Sequence, residues 1–172
     1  LLRYGIPNFK LNKGIIDRRI DILEKEGITF KYNKTIDVTK LPKGFDAYVI
    51  ATGTPIARNL EIPGRELKGI HLALELLGQQ NRILEGTEFK KEELINAKGK
   101  NVLVIGGGDT GSDCIGTAHR QGCKSVTQVE IMPKPPVGDN PDTPWPNWPV
   151  IFKTTSSHEE GCERRWNIAS NK

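Results

Sequence analysis

The stretch NVLVIGGGDTGSDC, Asn101 to Cys114, decides the fold of this chain. Five mostly apolar residues read as a buried strand. They run into three glycines and then into a polar helix opening. Gly106, Gly108 and Gly111 hold the positions of a G-x-G-x-x-G pattern, with Gly107 as an extra. In such a turn the first glycine permits a tight reversal and the second lets the backbone approach a pyrophosphate. The third lets helix and strand pack closely. A helix starting there offers unpaired amides and the positive end of its dipole to negative charge.

The pattern alone is weak, but its surroundings match a dinucleotide-binding unit. A strand precedes it, a helix runs on to about Gln121 where Gly122 stops it, and SVTQVEI supplies a second strand. Glu130 stands nineteen residues beyond Gly111, where a ribose-binding acid belongs. A carboxylate there accepts from a ribose 2′-hydroxyl and repels a 2′-phosphate, whereas an NADP site usually supplies Arg. The following residues, Ile131 to Lys134, contain no Arg, although Lys134 is able to meet a phosphate. These residues lean toward NADH and leave NADPH open. Asp109 reads as the helix cap, Thr110 as an additional amide donor, and Asp113 as an anchor for a neighbouring loop. The alternative is a glycine turn that binds nothing.

Outward from this unit the chain alternates helix and strand. From Asn12, Ile16, Ile20 and Leu23 recur at helical spacing until Gly27, and the run Ile15 to Leu23 reads as core. ITFKYN reads as a short strand and AYVIATG as a buried one. Pro63-Gly64 is a turn leading into a helix over about Leu72 to Leu84. EGTEFKKEELINAKGK reads as a solvated connection. Seven of the eleven prolines fall between 133 and 149, where no core helix or strand can run. Within that segment Trp145 and Trp148 read as indoles of a loop packed over the domain, rather than as an SH3 or WW ligand. HEEGC, His158 to Cys162, opens like H-E-x-x-H but has Cys where the second ligand belongs, so no metal site is expected. Glu159 and Glu160 read as loop or surface acids. Arg164 and Arg165 read as a solvated pair, with reach to a cofactor phosphate as the alternative.

The totals are those of a globular α/β chain. Of 172 residues, 36% are hydrophobic and 27% charged. The net charge of +4 is scattered without a basic stripe, so nucleic acid is not an expected partner. No apolar run approaches the ~20 residues that span a bilayer, and the opening LLRYGIPNFKLNK is not a signal peptide. The three cysteines, Cys114, Cys123 and Cys162, form no C-x-x-C pair. They read as small buried hydrophobes in a reducing, cytoplasmic setting. With no initiator Met, the sequence reads as a piece of a longer protein.

Taken together, LLRYGIPNFKL, YVIATGT, IPGRELKGIHLALELLGQQN, VIGGGDTGSDCIGTAHRQG, VEIMPKPP, PWPNWP and SSHEEGCERRW resemble the small (beta) subunit of glutamate synthase. The resemblance covers practically the whole chain. The glycine turn and ATG are shared with many flavoprotein reductases, including ferredoxin–NADP reductases, whereas LLGQQN and PWPNWP are more particular to the subunit. It implies a Rossmann-like three-layer fold in two parts: residues 1–59 from an FAD domain with its ATG exit turn, and 60–172 a partial NAD(P)H domain. Thr52 and Gly53 would then lie near flavin, and Gly106, Gly107, Gly108, Asp109, Thr110, Gly111, Glu130 and Lys134 near NAD(P)H. In the family the third turn position is often Ala, a departure expected to leave the helix contact intact. The implied chemistry is hydride transfer from NAD(P)H to FAD. Electrons then pass through iron–sulfur clusters outside this stretch to a large subunit that makes glutamate from glutamine and 2-oxoglutarate. By itself this stretch is expected to be inactive. A non-catalytic dinucleotide or interaction module is the other reading.

Overall fold

The computed structural model describes residues 1–54 and 56–170. Its contacts divide the chain into two units, Leu1–Leu11 with Leu60–Lys172, and Asn12–Asn59. The last two residues of the expected 60–172 segment thus lie outside the described residues.

The larger unit is an α/β layer built around the glycine turn. Asn101–Ile105 forms β1, Asp109–Arg120 forms α3, and Ser125–Val129 forms β2. β1 and β2 pair in parallel, in register from Asn101 opposite Ser125 to Ile105 opposite Val129. Parallel strands need a crossover, and α3 supplies it. A third strand, β3 (Glu163–Arg165), lies parallel on the other side of β2, giving the order β1-β2-β3. β3 was not expected from sequence: three charged residues, ERR, carry no strand signal, and only pairing with β2 defines them.

The core lies where α3 meets this sheet. Ile115 and Ala118 of α3 are fully buried, against Val104 of β1 and Val126 of β2. Helix α2 (Ala73–Leu84) adds Leu77 on the far side of α3. Burying side chains of this size stabilises by about 1.5–3 kcal/mol each. Gly116 allows a close approach: a Cβ there would stand 2.6 Å from Ser157 Oγ and 2.7 Å from Phe9 Cζ. Cys114 is buried in the same cluster, and Cys123 and Cys162 pack against it half-buried. Burial, reinforced by Asp113, pushes the Cys114 thiol up to about 12, so it behaves as a small apolar group.

LLGQQN acquires a physical role here. Gln79 takes the Ile95 amide on its oxygen and donates to the Glu93 carbonyl. Gln80 accepts from Gln121, the residue that closes α3, at 2.8 Å. Buried Asn81 donates to the carbonyls of Tyr4 and Ile6 at 3.0 and 2.9 Å. Three successive amides thereby fasten three neighbouring segments to α2. Residues 1–11 accordingly belong by contact to the same unit as Leu60–Lys172. Phe9 lies under the Arg120 guanidinium at 3.6 Å, and Lys10 pairs with Asp113 at 2.6 Å. Replacing Asn81 by Ala is expected to cost about 1–3 kcal/mol, because two carbonyls lose their donor. Urea denaturation checks this, and a loss under 0.5 kcal/mol would refute the clamp.

In the smaller unit α1 (Lys13–Lys25) starts at Asn12, whose side chain accepts the Gly14 amide. The expectation that Ile15 to Leu23 form core is not met: Ile15 is exposed and the others are at most half-buried. ITFKYN and AYVIATG carry no strand pairing, and Val49 and Ile50 are exposed. A strand exists only through a neighbour's hydrogen bonds, and the described residues of this unit include no second strand to supply them. Phe30 stacks on Tyr32, and Phe45 meets Tyr48 edge-on, as local pairs.

Candidate functional site

The glycine turn sits at the C-terminal end of β1, and each glycine there has its own reason. Gly106 has φ +116, a conformation that side chains disfavour, and its amide reaches the Val129 carbonyl at 2.8 Å. The Gly107 amide donates to Glu130 Oε2 at 2.5 Å, and a Cβ on Gly107 would strike that same oxygen. Gly108, the residue before α3, faces open space: a Cβ there would meet nothing within 4 Å. Gly111 is the reverse. A Cβ on it would stand 2.6 Å from the Gly106 carbonyl oxygen and 3.0 Å from Gln128 Nε2. Alanine at this position would have to displace the turn, whereas glycine leaves helix and strand in close contact.

The first amide of α3 to find a carbonyl behind it is that of Ser112, bonded to Gly108 at 3.1 Å. The amides of Asp109, Thr110 and Gly111 precede it at the positively polarised helix end, where an α-helix offers no internal partner. Asp109 is the first helical residue and makes no cap bond, so its expected capping role is not observed. A side chain caps from the residue before the helix, and that residue is Gly108. Asp113 anchors a neighbouring segment as expected, through Lys10.

Glu130 closes the other side of the turn. Its second oxygen, Oε1, accepts the Met132 amide at 3.1 Å. Its backbone is held on both sides, the amide by the Arg165 carbonyl and the carbonyl by the Ile168 amide. The carboxylate is thus fixed beside the turn while remaining half-buried. Lys134 lies over the rings of Phe152 and Trp166 at 4.9 and 5.3 Å, and Arg164 lies over the same two rings at 4.7 and 5.1 Å. Arg164 also donates to the Lys153 carbonyl, whereas Arg165 is exposed and pairs with Glu163. The two arginines are therefore not a solvated pair. Trp145 and Trp148 are 92% and 77% exposed, so they are not buried by a packed loop. The proline-rich segment is held instead by polar bonds, Asn140 to the Val150 carbonyl and the Val150 amide to Thr143.

Behind the turn lies a buried polar chain that sequence reasoning missed. Gln128 Nε2 donates to the Gly106 carbonyl at 2.8 Å, and its Oε1 lies 3.0 Å from His158 Nε2. His158 Nδ1 accepts the Thr155 amide at 3.1 Å, Thr155 Oγ1 lies 2.6 Å from Ser112 Oγ, and Lys10 reaches that hydroxyl. The one-turn helix α4 (Ser156–Glu159) carries His158, and Glu160 beside it grips Arg120 with both oxygens. HEEGC thus serves as a structural turn. Its signal in sequence is a glutamine beside the strand valines Val126 and Val129, which needs a partner once buried. Burial, with Arg164 and Lys10 nearby, pulls His158 down to about 4. This stabilisation is complete above the ordinary imidazole pKa of ~6.5 and is lost as pH falls toward the folded value.

In Thr52 and Gly53 the chain is exposed, and Gly53 takes a left-handed φ of +67.

Comparison with known proteins fits this geometry. Residues 9–141 match the family described as pyridine nucleotide-disulphide oxidoreductase. The chain belongs to that family. It is 49% identical over 175 residues to the glutamate synthase (NADPH) small chain of Mycobacterium tuberculosis (strain H37Rv), covering 98% of this chain and 36% of that protein. Over 164 residues it is 46% identical to the Bacillus subtilis (strain 168) small chain, covering 93% of this chain and 33% of the relative. Glutamate synthase (NADH) of Saccharomyces cerevisiae is 46% identical over 166 residues, 93% of this chain but 8% of that protein. The chain therefore spans about a third of the small-chain relatives it matches. The α/β fold with its parallel sheet agrees with the family.

Proposed function

We propose that the turn from Gly106 to Gly111, with Glu130, binds NAD(P)H, and that the chain is part of the electron-input region of a glutamate synthase small subunit. The observation that carries this reading is the pairing of open helix amides with a clear approach at Gly108. The residues fit a pyrophosphate: the amides of Asp109, Thr110 and Gly111 lie at the helix start without an internal helical partner, and a Cβ on Gly108 would meet nothing within 4 Å. Glu130 is fixed to accept a ribose hydroxyl. Lys134, held over Phe152 and Trp166, is the nearest cation in sequence for a 2′-phosphate.

When bound, NAD(P)H and FAD supply the hydride chemistry. The residues here position and neutralise charge, and none serves as nucleophile or base. The roles of Thr52 and Gly53 toward flavin rest on the family resemblance. Iron–sulfur clusters and a large-subunit partner belong, on this reading, to the rest of the protein and its assembly. A cytoplasmic location fits the three free cysteines.

Dye reduction by the intact protein with NADH and with NADPH tests the reading. Glu130→Ala is expected to raise the NADPH-to-NADH ratio of kcat/KM about tenfold, the size of one charge-assisted hydrogen bond. An unchanged ratio would remove Glu130 from the ribose site. An intact protein without flavin would overturn the oxidoreductase reading itself.

A further inference from the structure

Gln128 and His158 lie behind the glycine turn, away from the open side at Gly108, yet the first carbonyl of the turn hangs from them. Donor and acceptor roles along this chain are dictated by its two backbone ends. A carbonyl only accepts, so Gly106 must face the NH₂ of Gln128. That orientation leaves Gln128 Oε1 toward His158 Nε2, which must then carry the proton. The Thr155 amide only donates, so Nδ1 must be the accepting nitrogen. One tautomer of His158 satisfies every contact. Gln128 is also confined from above, where the space for a Cβ on Gly111 is taken up by its Nε2 and by the Gly106 carbonyl.

We infer that Gln128, oriented by His158, is the positioning residue of the turn: it holds the Gly106 carbonyl inward and thereby aims the amides of residues 109–111 outward. Its importance for nucleotide rests on the reading proposed above. The α4 turn thus acts on the site through β2 without touching ligand. Charged groups around His158 come from several elements: Lys10 of the N-terminal segment, paired with Asp113 of α3, and Arg164 of β3. On its own turn, Glu160 is occupied by Arg120, and Glu159 is exposed. The two cations, Lys10 and Arg164, and the donating Thr155 amide all oppose a second proton on the ring.

The test uses the intact protein with NADH and NADPH as probes, in fluorescence titrations at pH 7.5. Gln128→Glu places a second oxygen against the Gly106 carbonyl and is expected to weaken both nucleotides at least tenfold. His158→Gln, which still offers a donor to Gln128, is expected to lose less than Gln128→Glu. Equal affinity of Gln128→Glu and the parent protein would overturn the proposal. Independently of any nucleotide, ¹⁵N NMR is expected to show the Nε2-protonated tautomer of His158. The amide shifts of residues 106–111 are expected to move in Gln128→Glu. The other tautomer, or unmoved amides, would overturn it even if Gln128→Glu failed to bind. Should the parent protein bind neither nucleotide, the nucleotide reading falls, while the NMR result still decides the positioning role.

Discussion

Replacing Gly111 by Val is expected to destabilise the larger unit by about 2–3 kcal/mol and to abolish nucleotide binding. A Cβ there would lie 2.6 Å from a backbone oxygen, inside any contact that real Cβ atoms tolerate. Backbone cannot rotate away like a side chain end, so α3 must lift from β1 or the turn must deform, and overpacking of this kind costs about 1–3 kcal/mol. Lifting α3 also loosens Ile115 and Ala118, both fully buried. Deforming the turn breaks the Gln128 bond to Gly106. Alanine is expected to give a smaller loss in the same direction. Urea denaturation followed by circular dichroism measures both, and a valine variant within 1 kcal/mol of the parent would show that helix and strand do not need this contact.

Gly108→Ala is expected to separate binding from folding. Its φ of −79 and ψ of 179 are ordinary for alanine, and the new methyl meets nothing within 4 Å. Stability should change by less than about 1 kcal/mol, the cost of alanine in place of a capping glycine. The methyl would nevertheless occupy the approach assigned to the pyrophosphate, so affinity for NADH and NADPH should fall at least about tenfold, or 1.4 kcal/mol. Unchanged affinity would mean that the phosphates do not approach over Gly108. Together the two variants agree on ligand loss and differ in stability, a combination that a general loss of foldedness cannot imitate.

How legible the site was depends on the range of its interactions. The glycine spacing, the acid at Glu130, the α3 stop at Gly122 and the α2 helix are local patterns, and the sequence carried them. Asp109 does not cap because the cap position belongs to the last residue before helical geometry begins, and that is Gly108. Trp145 and Trp148 were misread because size alone does not tell whether a loop folds over an indole or leaves it exposed. AYVIATG was misread because an apolar run becomes a strand only beside another strand.

By itself the sequence determined the β1–glycine–α3–β2 unit, since period, turn chemistry and helix stop all lie within thirty residues of one another. It also carried the glycine spacing on which the proposed dinucleotide binding rests. Tertiary structure alone decided that ERR is a strand, that LLGQQN clamps three segments and that residues 1–11 join the larger unit. It alone linked the carbonyl of Gly106 to His158, fifty-two positions away, through Gln128. Such links arise because a buried polar group must find a partner wherever the fold brings one, and no local pattern encodes that distance.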